Sequence, residues 1–237
     1  NVLGIAEGGA LYHRSLIGKQ MFNMSTKDKL KNVTPTFGNT VLPAVVGCQT
    51  KYQIVYADPA WTFKTYSEKG KEKKSAENHY KCMTIEDIYN LPINQITDDN
   101  CILFLWVTMP LLKEGLETIK RWGFTYKTCA FNWVKKNKKA DSYFWGLGYW
   151  TRANSELCLL ATKGKPKRIS KSVHQICDAK IQEHSKKPDE IRNKIIELCG
   201  DLPRIELFAR QNVNGWDAWG NEVAESVNLE TSANNGR

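Results

Sequence analysis

Tyr52-Gln53-Ile54-Val55-Tyr56-Ala57-Asp58-Pro59-Ala60-Trp61 is a stretch of sequence that changes character abruptly at its seventh residue. Ile54 and Val55 lie within an aromatic-flanked run of strand formers, which predicts a buried central strand. Pro59 ends this strand because it has no N–H and restricts Asp58 to extended geometry. We therefore expect Asp58 at a carboxyl end of the sheet, the edge at which open α/β sheets bind ligands.

The residues that follow the strand combine an acid, a rigid turn and an aromatic ring that we expect to be exposed. The amine of adenine or cytosine delocalises its lone pair into the ring, so a catalyst must hold that nitrogen through its hydrogens. The carboxylate of Asp58 and the carbonyl of Pro59 are suitable acceptors, and Trp61 could stack on the heterocycle. The alternative is an Asp-Pro turn that closes a strand, with Trp61 in the core.

Three later segments carry further motifs. They are His184-Ser185-Lys186-Lys187-Pro188-Asp189-Glu190, Ile205-Glu206-Leu207-Phe208-Ala209-Arg210, and Gly215-Trp216-Asp217-Ala218-Trp219-Gly220-Asn221-Glu222. Together with Asp58–Trp61 they resemble, in order, the signatures of a family of S-adenosylmethionine-dependent amino-methyltransferases. This family contains the catalytic subunit of the eukaryotic mRNA adenosine methyltransferase and many bacterial and phage DNA adenine methyltransferases. The resemblance covers Lys51 to Val223, and Ala60 is its one departure from the family tetrad Asp-Pro-Pro-Trp.

The resemblance implies a fold and a set of site residues. The fold is α/β, a Rossmann-like methyltransferase sheet flanked by helices on both faces, in the permuted (beta-class) motif order, because the catalytic acid precedes the cofactor-binding half. The implied catalytic residues are Asp58, Pro59 and Trp61. The implied S-adenosyl-L-methionine pocket has Lys187 at the methionyl carboxylate and a further set of residues around it, namely Asp58, Phe208, Arg210, Asn212, Asn221 and Glu222.

Two polar, basic segments are candidates for substrate binding. One follows Trp61 directly and is expected to be a mobile surface loop, and the other begins at Lys135 and mixes lysines with glycines and aromatics. Such residues suit a groove that tracks phosphates and stacks bases, although a solvated charge run is the alternative. By resemblance, Tyr80 ends the first loop. The candidates are Lys64, Lys73, Lys74, Tyr80, Lys135, Lys136, Lys138, Lys139 and Arg152.

The remaining elements follow from periodicity and capping residues. Strand, helix and strand between Cys101 and Val134 predict a right-handed parallel crossover. The helix in that unit should have Pro110 near its start, Leu112, Leu116 and Ile119 on one face and Gly123 just past its end. The other predicted elements are helices at Thr84–Leu91 and Pro188–Gly200 and strands at Glu156–Ala161 and Arg204–Phe208.

Composition and boundaries favour one intracellular domain with extensions. We predict an N-terminal extension over residues 1–45, a methyltransferase domain over 46–223 and a polar tail over 224–237. The chain has seven cysteines and no Cys-x-x-Cys pair, which favours reduced thiols, and the spacing of Cys158, His174 and Cys177 fits no zinc site, so no metal is expected. No stretch approaches the length of a membrane span, and a start at Asn1 without a signal pattern predicts a trimmed intracellular chain. The compartment would be the cytoplasm in a bacterium or phage and the nucleus in a eukaryote.

The leading hypothesis is transfer of a methyl group from S-adenosylmethionine to the N6 amine of adenine in nucleic acid. The net charge of +9 fits an anionic partner. We favour DNA over RNA because the chain is compact and has no zinc-finger module. The alternatives are a catalytically silent nucleic-acid-binding subunit with the same fold and an enzyme for a free small-molecule amine. By resemblance, the chain could pair as a homo- or heterodimer.

Overall fold

The structure is a computed structural model, and it describes residues 51–61, 83–148, 150–183 and 186–229. Within these ranges one seven-stranded sheet dominates the fold. Its strands are β1 (Tyr52–Ala57), β2 (Thr97–Val107), β3 (Thr125–Lys136), β4 (Ser155–Lys163), β5 (Ile176–Lys180), β6 (Arg204–Leu207) and β7 (Asp217–Trp219). The strand order is β5-β3-β4-β2-β1-β6-β7, which places the predicted central strand β1 between β2 and β6, parallel to both.

The sheet is mixed, and the expected crossover from β2 through a helix to β3 joins two parallel strands of it. Strand β4 is antiparallel to both β2 and β3 and lies between them. Strands β2 and β3 therefore run in the same direction, as expected, but they are not neighbours. The apolar pattern of β4 did not distinguish a parallel from an antiparallel strand, because a strand buried on both faces is apolar in either case. The short strands β5 and β7 were not predicted.

The helices cover both faces of the sheet, as predicted. They are α1 (Ile85–Tyr89), α2 (Ile93–Ile96), α3 (Leu112–Arg121), which follows a 3₁₀ turn at Met109–Leu111, and α4 (Glu190–Cys199). On one face, Val55 and Leu103 belong to the same core as Ile88 and Ile119, and on the other face Ile54 and Phe104 belong to the same core as Ile191 and Ile195. The alternation along β1 and β2 thus sends successive side chains into two separate cores.

Local signals fixed the helix ends well. Thr84 caps α1 through a capping box, in which its hydroxyl accepts the Asp87 N–H at 3.1 Å and the Asp87 carboxylate accepts the Thr84 N–H at 3.1 Å. The predicted apolar face of α3 is wrong in part, because Leu116 is 38% exposed while Gly115, Thr118 and Ile119 are buried. A Cβ on Gly115 would come within 2.9 Å of the Val107 side chain. The helix therefore rests on β2 through Gly115, and this close approach turns Leu116 outward.

One ion pair is buried between α4 and β6. The guanidinium of Arg192 donates from Nε and Nη2 to the two carboxylate oxygens of Glu206, at 2.7 and 2.8 Å, and each residue is only 8% exposed. Asp189 accepts a further hydrogen bond from Arg192 at 2.9 Å. A buried carboxylate that loses its cation keeps the cost of desolvation without compensation.

We expect Arg192→Met to lower the free energy of unfolding by about 3–5 kcal/mol, because it leaves the Glu206 carboxylate uncompensated. The double variant Arg192→Met/Glu206→Met should recover most of this loss, since both charges are then gone. Urea unfolding of the three proteins tests this, with Arg168→Met at an exposed position as the matched control. A double variant as unstable as Arg192→Met would contradict the expected coupling.

Candidate active site

Three parallel strands end together at one edge of the sheet. Ala57 pairs with Leu207, and Leu207 pairs with Trp219, so β1, β6 and β7 stop in register. The N–H of Asp58 still donates to the carbonyl of Leu207 at 3.4 Å. Asp58 and the segment that contains Arg210 therefore leave the sheet at the same edge, as expected from the sequence.

The other half of the sheet brings its polar residues to the same edge. Val107 at the end of β2 pairs with Leu157 near the start of β4, and Val134 near the end of β3 pairs with Ser155. Strand β5 runs parallel to β3, so the connection from β5 to α4 begins at this edge as well. That connection carries Lys187.

The centre of the site is a lysine shared by two carboxylates. The Lys187 ammonium lies 2.8 Å from each carboxylate oxygen of Asp58 and 3.3 Å from Oε2 of Glu156. The other oxygen of Glu156 accepts a hydrogen bond from Lys135. The side chains of Lys187, Glu156 and Lys135 are 11%, 12% and 16% exposed. These charges alternate from Asp58 through Lys187 and Glu156 to Lys135, and we call this set the charge network.

Burial and ion pairing shift the pKa values of the charge network in opposite directions. Burial alone would raise the pKa of the Glu156 carboxyl, but the Lys187 and Lys135 ammonium groups outweigh it and hold that pKa below its usual value. Burial alone would lower the pKa of Lys187, and Asp58 and Glu156 instead raise it above its usual value. Both groups are therefore charged at neutral pH.

The backbone after Asp58 forms a tight turn. The N–H of Trp61 donates to the carbonyl of Pro59 at 2.8 Å, which closes a three-residue turn centred on Ala60. Ala60 is not among the residues with positive φ, so this is an inverse γ-turn. The Pro59 carbonyl has a second lone pair, which can accept another hydrogen bond.

Trp61 is buried, at 7% exposure, which corrects the expectation of an exposed indole. Its Nε1 donates to the carbonyl of Trp106 at 3.0 Å. Trp106 in turn donates from Nε1 to the Tyr56 hydroxyl at 2.8 Å, and its ring centroid lies 5.4 Å from the Lys187 ammonium. The turn is thereby anchored to β2, and an aromatic face lies beneath the shared lysine.

The predicted cofactor residues after β6 and β7 are brought together by a close backbone contact. A Cβ on Gly220 would lie 2.5 Å from the carbonyl oxygen of Ala209, so only glycine fits there. Phe208 has a left-handed backbone (φ 61°) and packs edge-on against Trp219, with ring centroids 5.4 Å apart. Arg210 is half-buried; three other predicted residues of this group are exposed, namely Asn212, Asn221 and Glu222.

The predicted substrate-binding residues fall into three groups. Lys64, Lys73, Lys74 and Tyr80 lie outside the described residues. Lys135 is engaged in the charge network, and Lys136 pairs with Asp141 at 3.0 Å and with Asp178 at 3.1 Å. The remaining three, Lys138, Lys139 and Arg152, are exposed at the surface. The Lys138 ammonium lies 3.7 Å from the Glu183 carboxylate.

Sequence reasoning did not assign a role to Glu156 or Trp106. Glu156 was noted only as the first residue of a strand, and a carboxylate opening an otherwise apolar strand is a signal that could have marked it. Across the four described ranges, no group of three or more His, Cys, Asp or Glu residues could hold a metal ion. In the same ranges, no helix has the length and apolarity that crossing a membrane requires.

We expect Glu156→Gln to lower the free energy of unfolding by about 2 kcal/mol near neutral pH, because two buried ammonium groups lose a shared carboxylate. The pKa of Glu156 is lowered in the folded protein, so its stabilisation is present above the usual glutamate value of 4.5 and is lost as the pH falls below it. The stability of the variant should therefore change less with pH in that acidic range. Urea unfolding across pH, with exposed Glu197→Gln as control, tests this; parallel profiles would contradict it.

We expect Ala60→Pro to raise the free energy of unfolding by about 0.4–1 kcal/mol. The central residue of an inverse γ-turn has φ near the value that proline imposes, so the substitution restricts the unfolded chain without straining the turn. Thermal unfolding measures the effect. Lys165→Pro is the contrasting variant, at an exposed position whose N–H donates to Asn100 Oδ1 at 2.8 Å, and it should lower the stability. A loss of stability for Ala60→Pro would show that the turn has another geometry.

Comparison with known proteins identifies the family of this chain. The family model described as MT-A70 matches residues 52–222. A Type II methyltransferase, M.MunI, from Mycoplasma sp is 32% identical over 192 residues, which are 74% of this chain and 79% of that protein. The human N(6)-adenosine-methyltransferase catalytic subunit METTL3 is 32% identical over 179 residues, 73% of this chain and 28% of that protein.

A plant relative shows the same pattern of coverage. The N(6)-adenosine-methyltransferase MT-A70-like protein of Arabidopsis thaliana is 28% identical over 175 residues, 73% of this chain and 24% of that protein. The chain thus spans about four-fifths of the mycoplasma protein and only about a quarter of the eukaryotic ones. By its family match and its relatives, the chain belongs to the MT-A70 family of N6-adenine methyltransferases.

Proposed function

We propose that this protein transfers a methyl group from S-adenosyl-L-methionine to the N6 amine of adenine in nucleic acid, with DNA preferred over RNA. The observation that carries the proposal is the position of Asp58. Its carboxylate follows a central strand and is held by the Lys187 ammonium at 2.8 Å. The Asp58 carboxylate and the Pro59 carbonyl are acceptors on consecutive residues, which suits the two hydrogens of an exocyclic amine.

The residues at this edge fit the cofactor. A methionyl group carries an ammonium and a carboxylate, and the paired Asp58 carboxylate and Lys187 ammonium are charge-complementary to it. Phe208 offers an aromatic ring, and Asn221 and Glu222 add polar groups on the neighbouring segment, for a ribose and an adenine. S-adenosylmethionine, when bound, supplies an electrophilic methyl group on a sulfonium.

The charge network allows Asp58 to leave its ion pair and bind the substrate amine. Lys187 already has a second carboxylate partner in Glu156, so it keeps an ion pair when Asp58 turns to the substrate amine. Asp58 and Pro59 then hold the nitrogen through its hydrogens and orient its lone pair. Transfer would form the N–C bond as the C–S bond of the sulfonium breaks and the neutral thioether leaves, and the Asp58 carboxylate is a suitable acceptor for the proton that the methylated nitrogen must lose.

The preference for DNA over RNA rests on the length of the relatives, and the preference for nucleic acid rests on charge. The chain resembles the compact mycoplasma methyltransferase over most of that protein's length, whereas the adenosine methyltransferases of eukaryotes are several times longer than the shared region. A net charge of +9 favours a polyanion. In duplex DNA the target base must first leave the stack, which costs a few kcal/mol. An intracellular location and a homo- or heterodimer are part of the same proposal.

The test is transfer of tritiated methyl groups from S-adenosylmethionine to matched DNA and RNA oligonucleotides, followed by identification of the methylated nucleoside. We expect N6-methyladenine in DNA, and a fall in kcat of at least about 100-fold for Asp58→Asn, because the amide cannot accept in the same way and carries no charge. Asp99→Asn, at an exposed position on β2, is the matched control and should behave as wild type.

Three outcomes would change the proposal. Equal activity of Asp58→Asn and wild type would remove Asp58 from the mechanism. Incorporation into RNA alone would reverse the polymer preference. Cofactor binding without any transfer would indicate the silent-subunit alternative or the need for a second subunit.

A further inference from the structure

The connection between β3 and β4 exposes a group of large apolar side chains. Tyr143, Trp145, Leu147 and Trp150 are 50%, 69%, 81% and 93% exposed, and we call these four residues the aromatic tip. In the part of the chain that the structure describes, nine large hydrophobic residues are exposed, and four of them fall within these eight positions. Single exposed hydrophobic residues are ordinary, whereas a cluster marks an interaction site.

Backbone hydrogen bonds join the two sides of the connection that carries the aromatic tip. The N–H of Phe144 donates to the Lys135 carbonyl and the N–H of Gly146 to the Ala153 carbonyl, both at 2.8 Å. A Cβ on Gly146 would lie 2.5 Å from the Ala153 carbonyl oxygen. The two sides of the connection are therefore in close backbone contact at Gly146 and Ala153.

Trp150 adds an independent sign of function. Its backbone is left-handed (φ 69°), a conformation that bulky residues rarely adopt. An indole that is 93% exposed regains little of this cost through burial. The other tryptophans outside the tip are buried or half-buried. Trp150 therefore combines backbone strain with near-complete exposure, a combination that is found at functional sites.

The aromatic tip stands at the edge that carries Asp58. The tip follows the carboxyl end of β3 and precedes β4. Lys135 near the end of β3 and Glu156 near the start of β4 belong to the charge network that reaches Asp58. A ligand on the tip would therefore lie on the same side of the sheet as the target amine.

The charges around the tip select the kind of partner. Between Lys135 and Arg152 the sequence has five cationic residues and a single acid, Asp141. Lys135, Lys136 and Lys138 already lie near carboxylates, and Lys139 and Arg152 are the exposed cations that could contact phosphates. Protein–protein interfaces are depleted in lysine, whereas single-stranded nucleic acid binds to surfaces that combine cations for phosphates with aromatic rings for bases.

We propose that the aromatic tip stacks unpaired bases of the nucleic acid strand next to the target adenine. This inference rests on the proposed function, since it takes nucleic acid to be the substrate. Stacking the neighbours of the target on Trp145 and Trp150 compensates for part of the base stacking lost when the strand is opened. The protein accordingly binds single-stranded or locally opened sites more tightly than intact duplex.

The experiment measures binding of the full chain to a fluorescein-labelled single-stranded oligodeoxynucleotide and to its duplex by fluorescence anisotropy. Trp145→Ala/Trp150→Ala should weaken single-strand binding by about 5- to 100-fold, and Trp145→Phe/Trp150→Phe should restore most of the affinity, because phenyl rings also stack. The duplex should lose less. Tyr126→Ala, an exposed aromatic at the start of β3 and thus at the opposite edge, is the control.

Salt dependence separates stacking from phosphate contacts. The alanine double variant should keep the wild-type slope of affinity against salt concentration, whereas Lys139→Gln/Arg152→Gln should reduce that slope. Unchanged single-strand affinity of the tryptophan variants would overturn the inference. So would conversion of a dimer to a monomer at unchanged affinity, measured by light scattering, since the tip would then be a self-association surface. If the wild-type protein binds neither oligonucleotide, the proposed function fails together with the inference.

Discussion

The structure of the site depends on one ammonium group shared by two carboxylates. Asp58 and Glu156 come from different strands and both lie within ion-pair distance of Lys187. Without this cation, two negative charges would face each other at a largely buried edge with no compensating charge between them. Lys135 completes the balance on the far side of Glu156. The arrangement joins the end of β1, the start of β4 and the segment before α4, so the same contacts determine the geometry and the electrostatics of this edge of the sheet.

The two halves of this edge have different characters. On the β6–β7 side, close backbone packing at Gly220 and the Phe208–Trp219 ring pair form a compact platform. On the β3–β4 side, lysines near the sheet are paired with carboxylates, and the connection beyond them exposes aromatic rings and cations. Asp58 stands between them at the end of β1. A small ligand that needs enclosure suits the first side, and an extended polyanion suits the second.

Features set by neighbouring residues could be predicted from the sequence. The end of β1 at Asp58, the cap at Thr84 and the stop of α4 at Gly200 all follow from residues a few positions away. The position of Lys187 also followed from its motif, although its direct pairing with Asp58 did not. Features set by distant partners could not be predicted. Trp61 is buried because a carbonyl of β2 accepts its indole N–H, and β4 is antiparallel because of how the chain returns across the sheet. Glu156 acquires its importance only when three strands meet.

Strand β1 has neighbours that are very unequal in sequence distance. Its residue Ile54 pairs with Ile102 on one side and with Arg204 on the other. Loop-closure entropy must be overcome before such distant pairings contribute, so sheets of this kind fold slowly. During synthesis on the ribosome, β1 is made well before β6, so the β1–β6 pairing cannot form until β6 has also been made. The Asp58 carboxylate therefore gains its neighbours on the β6 side only when synthesis of the domain is nearly complete, and a nascent chain cannot form this edge of the sheet before then.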